Sequence, residues 1–164
     1  MKKMIRRIRM PGLASLIVLS ILSISFMKWG GQTPQATIVK PKSGELIENR
    51  NKFPVVVSVP SYDVDRKQGF HYWVSVAASA NKRLGADHWP KFYVKGDFFE
   101  GRVYDGGFNP NPGKEEKMLV LIKVDVATSD SFSDWLAHGA STGKYPALHL
   151  KKSQVVAKTL IYFP

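Results

Sequence analysis

The chain has 164 residues, no cysteine and a formal net charge of +11. Without cysteine it is neither a disulfide-stapled scaffold nor a lipoprotein anchored through a modified cysteine. Residues 1–32 hold six of the basic residues and no acidic one, so the 18 basic and 13 acidic residues that remain give +5. These charges are scattered, which argues against nucleic-acid binding, because that function needs a concentrated basic face.

The first feature along the chain is an uncharged apolar run over residues 10–27, preceded by five basic residues and followed by Lys28 and Trp29. A basic flank before a run of this length predicts a signal-anchor, with a cytoplasmic tail over residues 1–9 and a transmembrane helix over residues 10–29. The excess of positive charge before the run predicts that the rest of the chain lies outside the cytoplasm. An exported domain without cysteine fits a bacterial envelope better than a cysteine-rich secreted module.

Cleavage of this segment is the alternative. Ser23 and Ser25 would allow a cut before Phe26, which would release a secreted or periplasmic protein. The apolar run is longer than the roughly 7–15 residues of a typical signal peptide, and Trp29 suits a membrane interface, so we prefer a retained anchor.

Residues 30–35 form a short polar linker, and residues 36–164 have the pattern of one β-rich domain. Apolar and polar residues alternate in segments that predict strands over residues 36–39, 46–47, 53–59, 71–78, 92–94, 96–104, 117–126 and 154–163. Residues 117–126 are apolar on both faces, which predicts a central strand. Loops are expected over residues 60–69, 81–90 and 105–113.

One short helix is expected over residues 131–138. Ser131 and Asp134 have the spacing of a capping box, and Phe132, Trp135 and Leu136 fall on one stripe. Gly139 would end the helix. About seven short strands with one helix predict an all-β fold, an antiparallel sandwich, preceded by a single transmembrane helix.

Taken in order, these segments resemble the Ig-like or fibronectin-III-like sandwich domains of bacterial surface and membrane proteins. The resemblance covers residues 36–163 and rests on residues 38–44, 72–76, 89–91, 96–98, 118–122 and 135–136. It implies a role as an adhesive, scaffolding or accessory module without catalytic residues. The chain departs from true immunoglobulin domains in lacking their cysteine pair.

Aromatic side chains form the candidate ligand surface. If exposed, Trp73, Trp89 and Tyr93 could stack on sugar rings, and Lys91 would favour an anionic envelope polymer. The alternative is structural, and we prefer it: Trp73 would lie under the helix stripe or cover a sheet edge and, with Trp135, hold the helix on the sheet.

A possible nucleophile is Ser141, because residues 139–143 match the Gly-x-Ser-x-Gly pattern of hydrolases. That chemistry needs a turn from a strand into a helix. Here a helix is expected before the serine, and Pro146 would obstruct a helix after it. We therefore expect no catalytic site and no enzyme activity.

Metal binding has little support in the sequence. Asp63 and Asp65 could bind calcium together with Asp87 or Asp105, but Arg66 and Lys67 follow at once and would offset the carboxylates. The four histidines lack the spacing of a local metal pair. We expect no metal and no cofactor.

The sequence thus predicts a single-pass membrane protein whose extracytoplasmic domain is an interaction or accessory module. Its expected partner is another protein, and nucleic acid is not expected. The alternative function is binding of carbohydrate or an anionic envelope polymer. An envelope hydrolase that uses Ser141 is the least favoured function.

Overall fold

The computed structural model describes residues 34–49, 51–78, 87–104, 115–149 and 154–164, which belong to one compact unit, Gln32–Pro164. The elements in chain order are β1 (Thr37–Lys40), β2 (Glu45–Leu46), β3 (Phe53–Ser58), α1 (Tyr62–Lys67), β4 (Phe70–Ala78), β5 (Asp87–Tyr93), β6 (Phe98–Val103), β7 (Glu115–Asp125), α2 (Val126–Thr142), β8 (Leu148–His149) and β9 (Val155–Phe163).

The strands form two sheets that pack face to face. The smaller sheet has the order β1-β3-β6, and the larger has the order β2-β9-β7-β4-β5-β8. All pairings are antiparallel except that of β2 with β9. The prediction of an all-β sandwich is confirmed for the described residues. Strand β7 lies between β4 and β9, so its predicted central position is also confirmed.

The main core lies between the two sheets. Alternate residues of β3 face it, as do Leu119 and Leu121 of β7 and the last residues of β9. On β4 the inward residues are Tyr72, Val74 and Val76, as the alternation predicts. Burial of each such apolar side chain contributes roughly 1.5–3 kcal/mol to the stability of the fold.

A second core lies on the other face of the larger sheet, beneath α2. Its buried members are Trp73, Ala77, Met118, Val120, Ile122, Val124 and Phe132. Because β7 has apolar residues on both faces, it contributes to both cores. The domain is therefore built in three layers: the smaller sheet, the larger sheet and α2.

Helix α2 is longer than the sequence predicts and has different ends. It begins after Asp125, whose side chain accepts the Thr128 N–H at 2.7 Å, and it ends at Gly143, which has a left-handed φ of 70°. Ser131 is not the N-cap, because its hydroxyl donates to the Ala127 carbonyl within the helix. Gly139 lies inside the last turn rather than at the end.

Two expected loops contain regular structure. Residues 60–69 include α1, and residues 81–90 overlap the start of β5. The prediction missed α1 because its six residues are too few to show a helical period. The long connection over residues 105–113 lies outside the described residues.

No helix among the described residues is long and apolar enough to cross a membrane. The predicted tail (1–9), the apolar run (10–27) and the cleavage position at Phe26 all lie outside that part of the chain.

Candidate functional site

Strand β5 carries three of the four residues predicted for a ligand surface. Pro90 and Lys91 lie within this strand. The pairing of β4 with β5 skips Lys91, since Val74 pairs with Phe92 and Ser75 with Pro90. This β-bulge places Tyr93 on the α2 side of the sheet and Trp89 on the sandwich side. The predicted residues therefore do not share one surface.

Trp73, named as a possible ligand residue, is buried, as the preferred structural alternative predicts. Its side chain is only 2 % exposed, because it lies between β4 and α2. Its indole N–H donates to the Ser129 hydroxyl at 2.9 Å, and its ring meets Phe132 edge to face at 5.6 Å. Trp73 thus holds α2 on the sheet, which is the structural alternative for this residue.

Tyr93 is half-buried beside Trp73 and joins α1 to the sheet. Its ring packs edge to face against Trp73 and His71, and its hydroxyl lies 3.3 Å from the Tyr62 hydroxyl. Burial, together with the hydrogen bond between the two hydroxyls, raises the pKa of Tyr93 to about 12. These contacts describe a packing residue.

Trp89 and Lys91 remain partly exposed. The Trp89 indole donates to the Tyr145 carbonyl at 3.3 Å, and the Lys91 ammonium donates to the Tyr104 carbonyl at 2.8 Å. The Tyr104 ring is 58 % exposed and has the Lys52 ammonium 5.7 Å from its centre. We call Tyr104, Lys52 and Lys91 the Tyr104 corner.

Tyr104 and Lys52 were not among the residues predicted for a ligand surface. The exposure of Tyr104 could have been predicted from the sequence, because Tyr104 ends a predicted strand and alternates with the inward-facing Val103. Its proximity to Lys52 could not, because β3 and β6 are brought together only by sheet pairing.

A buried polar cluster lies where α1 meets β4 and β7. The Asp65 carboxylate accepts hydrogen bonds from the Lys123 ammonium at 2.6 Å, from the Ser61 hydroxyl at 2.6 Å and from the Tyr72 hydroxyl. Burial by itself raises the pKa of Asp65, but these hydrogen bonds and the Lys123 charge outweigh it and lower that pKa below 3.8. Burial next to Asp65 raises the pKa of Tyr72 to about 12.

These contacts bear on the calcium hypothesis, because Asp65 already has a lysine and two hydroxyls as partners. Asp63 is exposed on α1, Asp87 begins β5, and Asp105 lies outside the described residues. In the described ranges no three acidic or histidine side chains are grouped closely enough to hold a metal ion.

His88 is buried beneath α2. Its Nδ1 lies 3.2 Å from the Ser75 hydroxyl, and its ring packs against Phe132. Burial, with a smaller contribution from the nearby His149 charge, lowers the pKa of His88 to about 4. The neutral ring therefore belongs to the second core.

Ser141 lies in the last turn of α2, where its hydroxyl donates to the His138 carbonyl at 2.9 Å. Gly139 is buried, and a Cβ at this position would overlap the Tyr145 ring. The Gly-x-Ser-x-Gly pattern is thus a helix end. It lacks the strand-to-helix turn that a nucleophile elbow needs.

Three exposed apolar side chains lie where α1, the start of β4 and the junction of β7 with α2 meet. They are Val64, Phe70 and Val126, and we call them the α1 corner. Phe70 pairs with Asp125 across the sheet, next to Val126, and Lys123 lies 4.4 Å from the Phe70 ring centre. Charged residues of α1 lie beside them: Asp63, Arg66 and Lys67.

Comparison of the chain with protein families, with curated proteins and with solved structures found no match.

Proposed function

We propose that this chain is a membrane-anchored, extracytoplasmic Ig-like or fibronectin-III-like module that binds a protein partner and carries no catalytic activity. The apolar run over residues 10–27 and the basic residues before it support the anchor and its orientation. The packing of two mainly antiparallel sheets around the main core supports the Ig-like assignment at the level of architecture.

The α1 corner is the observation that carries this proposal. Large apolar side chains that lie together on a surface mark protein interaction sites, whereas isolated ones are common everywhere. Val64 is 59 % exposed on α1, and Phe70 and Val126 are exposed at the start of β4 and just after β7, the strands that α1 contacts. The neighbouring charges on α1 match the polar rim of a typical interface. The partner should therefore present an apolar patch with its own charged border.

The polar side chains described above support a non-catalytic role. Asp65 is occupied by Lys123 and two hydroxyls, His88 faces Ser75, and Ser141 is bonded within its helix. In these places the polar groups join one element of the fold to another. The Ser75 hydroxyl and the His88 ring are both fully buried, so this pair is closed to a substrate, and the Ser141 hydroxyl is bonded to a backbone carbonyl instead of a base.

Photo-crosslinking in intact cells tests the proposal. A benzophenone amino acid replaces Val64 in the full chain, and the matched control places it at Asp130, which is exposed on α2. We expect a discrete adduct with one envelope protein from position 64 and none from position 130. Val126→Asp should abolish the adduct without harming α2, because an acidic residue is tolerated at a helix N-terminus.

Two results would contradict the proposal. One is the absence of an adduct at position 64, and the other is the same adduct pattern at positions 64 and 130. Ester hydrolysis by the purified full chain that disappears in Ser141→Ala would favour the hydrolase instead.

The Tyr104 corner favours a second candidate function, binding of an anionic envelope polymer. An exposed aromatic ring with two lysines beside it can stack on a sugar while the ammonium groups attract its acidic substituents. Lys91, one of the predicted ligand residues, lies at this corner.

Binding of the full chain to a purified anionic glycan tests this candidate. Lys52→Glu and Tyr104→Ala should each weaken binding, and binding should also fall as salt is raised. Lys67→Glu, an equal change of charge on the exposed side of α1, is the control. Equal losses in all three variants would show only a general effect of charge and would exclude the corner as the binding site.

A further inference from the structure

Within the described ranges, one hydrogen-bonding edge of strand β6 has no partner strand. Among the described strands β6 pairs only with β3, at the end of the smaller sheet. The Val59 N–H donates to the Asp97 carbonyl at 2.6 Å, and the register continues from there along both strands. Hydrogen-bonded and non-bonded pairs alternate in an antiparallel ladder. The odd-numbered residues of β6 therefore face β3, and the main-chain groups of Phe98, Glu100 and Arg102 point outward.

The side chains of these outward residues lie on the exposed face of the smaller sheet. Phe98 is 68 % exposed, Glu100 and Arg102 are exposed, and Tyr104 follows them in the same alternation. Neither Glu100 nor Arg102 forms an ion pair with a described residue. The edge thus presents, in order, an aromatic ring, an acid, a base and a second aromatic ring.

From this order we infer that β6 pairs with β6 of a second copy of the same chain. In an antiparallel pair with its twofold axis at Gly101, Glu100 of each copy faces Arg102 of the other. Phe98 of each copy likewise faces Tyr104 of the other. Opposite charges and aromatic pairs at directly opposed positions both stabilise a sheet. The inferred dimer has one continuous sheet of the order β1-β3-β6-β6-β3-β1.

The main chain fits this register as well. Glu100 and Arg102 both point their N–H and C=O groups outward, so the two copies exchange about four central hydrogen bonds. Lys91 already donates to the Tyr104 carbonyl, so we count no main-chain bond from Tyr104. Gly101, at the twofold axis, has no side chain of its own, and the Phe92 ring packs against it on the inner face of the smaller sheet.

Neighbouring registers are disfavoured by charge. A shift that centres the pair on Glu100 places the two glutamates opposite each other, and a shift to Arg102 does the same with the two arginines. Like charges directly opposite each other destabilise a sheet. The sequence of β6 therefore selects one register, and this selectivity makes the inference testable. It does not depend on the proposed protein partner, whose site is the α1 corner.

The test uses the full chain in mild detergent, with the protein mass followed by sedimentation over a range of concentrations. We expect the wild type to form a dimer. Glu100→Arg and Arg102→Glu each place like charges at both opposed positions, so each variant alone should dimerise about tenfold more weakly or worse. Asp130→Arg, an exposed charge change on α2, should dimerise like the wild type.

Mixing the two variants in equal amounts is the decisive step. In a mixed dimer every arginine at these positions faces a glutamate, so dimerisation should return, and a misfolded variant could not restore it. A monomeric wild type would overturn the inference. Unchanged dimerisation in the two variants, which would indicate contact through another surface or another chain segment, would overturn it too. Failure of the mixture to recover would exclude this register.

Discussion

At the scale of single residues, several buried polar groups serve the fold by joining two elements. Asp65 links α1 to β7 through Lys123, which is 58 residues away in the chain. Trp73 links β4 to α2 through Ser129, and His88 links β5 to β4 through Ser75. A polar group that is buried without a partner costs free energy, so these pairs determine which packing of the elements is allowed.

Ile122 tests the second core. It is fully buried on the α2 face of β7, so Ile122→Ala should lower the free energy of unfolding by about 2–5 kcal/mol. Urea unfolding of a fragment that begins at Gln32 measures this value. Val126→Ala is the control, because Val126 is exposed and its change should stay within about 0.5 kcal/mol. A loss below about 1 kcal/mol at Ile122 would mean that the face is assigned wrongly.

His88 predicts how stability depends on pH. Its pKa is about 4 in the folded domain and 6.5 for an ordinary histidine, because burial disfavours the charged ring. Between these values the unfolded chain binds a proton that the folded chain does not, so stability should fall as the pH drops from 6.5 to 4. His88→Gln should remove this part of the decline in urea midpoints measured across that range.

The Asp65 carboxylate affects stability in a lower pH range than His88. Its folded pKa lies below 3.8, so its contribution to folding stability is complete above pH 3.8 and is lost only as the pH falls through the lowered pKa. The His88 prediction would be contradicted if the urea midpoint of His88→Gln fell between pH 6.5 and 4 as steeply as that of the wild type. A group other than His88 would then cause the loss of stability.

At the scale of elements, α2 shows how local signals and packing combine. Asp125 caps its first turn, and Gly143 closes its last turn through an N–H bond to the Gly139 carbonyl at 2.8 Å. Between these ends, Trp135 donates to the Pro146 carbonyl at 2.9 Å and its ring meets Tyr145. The chain after α2 is thus folded back onto the helix, and Gly139 leaves room for the Tyr145 ring.

Gly139→Ala sets helix propensity against packing. Alanine is favoured over glycine inside a helix by about 1 kcal/mol, but its Cβ would overlap the Tyr145 ring, and overpacking costs about 1–3 kcal/mol. We expect a net loss of about 1 kcal/mol in thermal or urea unfolding. In a Tyr145→Ala background the obstruction is gone, so the same change should stabilise the domain. The same sign in both backgrounds would exclude this contact as the cause.

At the scale of the whole molecule, the larger sheet organises the domain. Its central strand β7 contributes to the cores on both faces, while the smaller sheet covers one face and α2 covers the other. This arrangement leaves three surfaces with proposed roles: the α1 corner, the Tyr104 corner and the edge of β6, the last two of which share Tyr104. Exposed side chains on each surface can be substituted without disturbing either core.

The orientation in the membrane is a prediction for the whole chain. Five basic residues precede the apolar run, against Lys28 alone just after it, so the N-terminus should stay in the cytoplasm. Protease added to intact spheroplasts should digest the domain and leave a membrane-bound N-terminal stub. Protection until the membrane is broken would reverse the orientation. A free protein that begins at Phe26 would show that the run is a cleaved signal.

From the sequence alone, the strands with strong alternation could be predicted together with their faces. Phe53, Val55 and Val57 face the main core, and Leu119 and Ile122 face opposite cores, as their positions in the pattern predict. The central place of β7 followed from apolar residues on both of its faces. These features are local, because the strand period of two residues acts on neighbours in the chain. The family resemblance and the candidate function stay predictions.

Only the tertiary structure decided which face of the sheet is occupied by the side chains on either side of a β-bulge. The bulge at Lys91 separates Trp89 from Tyr93, and a skipped residue in β9 separates Val155 from Ala157. Pairing across the sheet sets such irregularities, so alternation read along one strand cannot show them. The same holds for Asp65 with Lys123, for Tyr104 with Lys52, and for the free edge of β6. Each depends on contacts between segments distant in the chain, which form only when the sheets assemble.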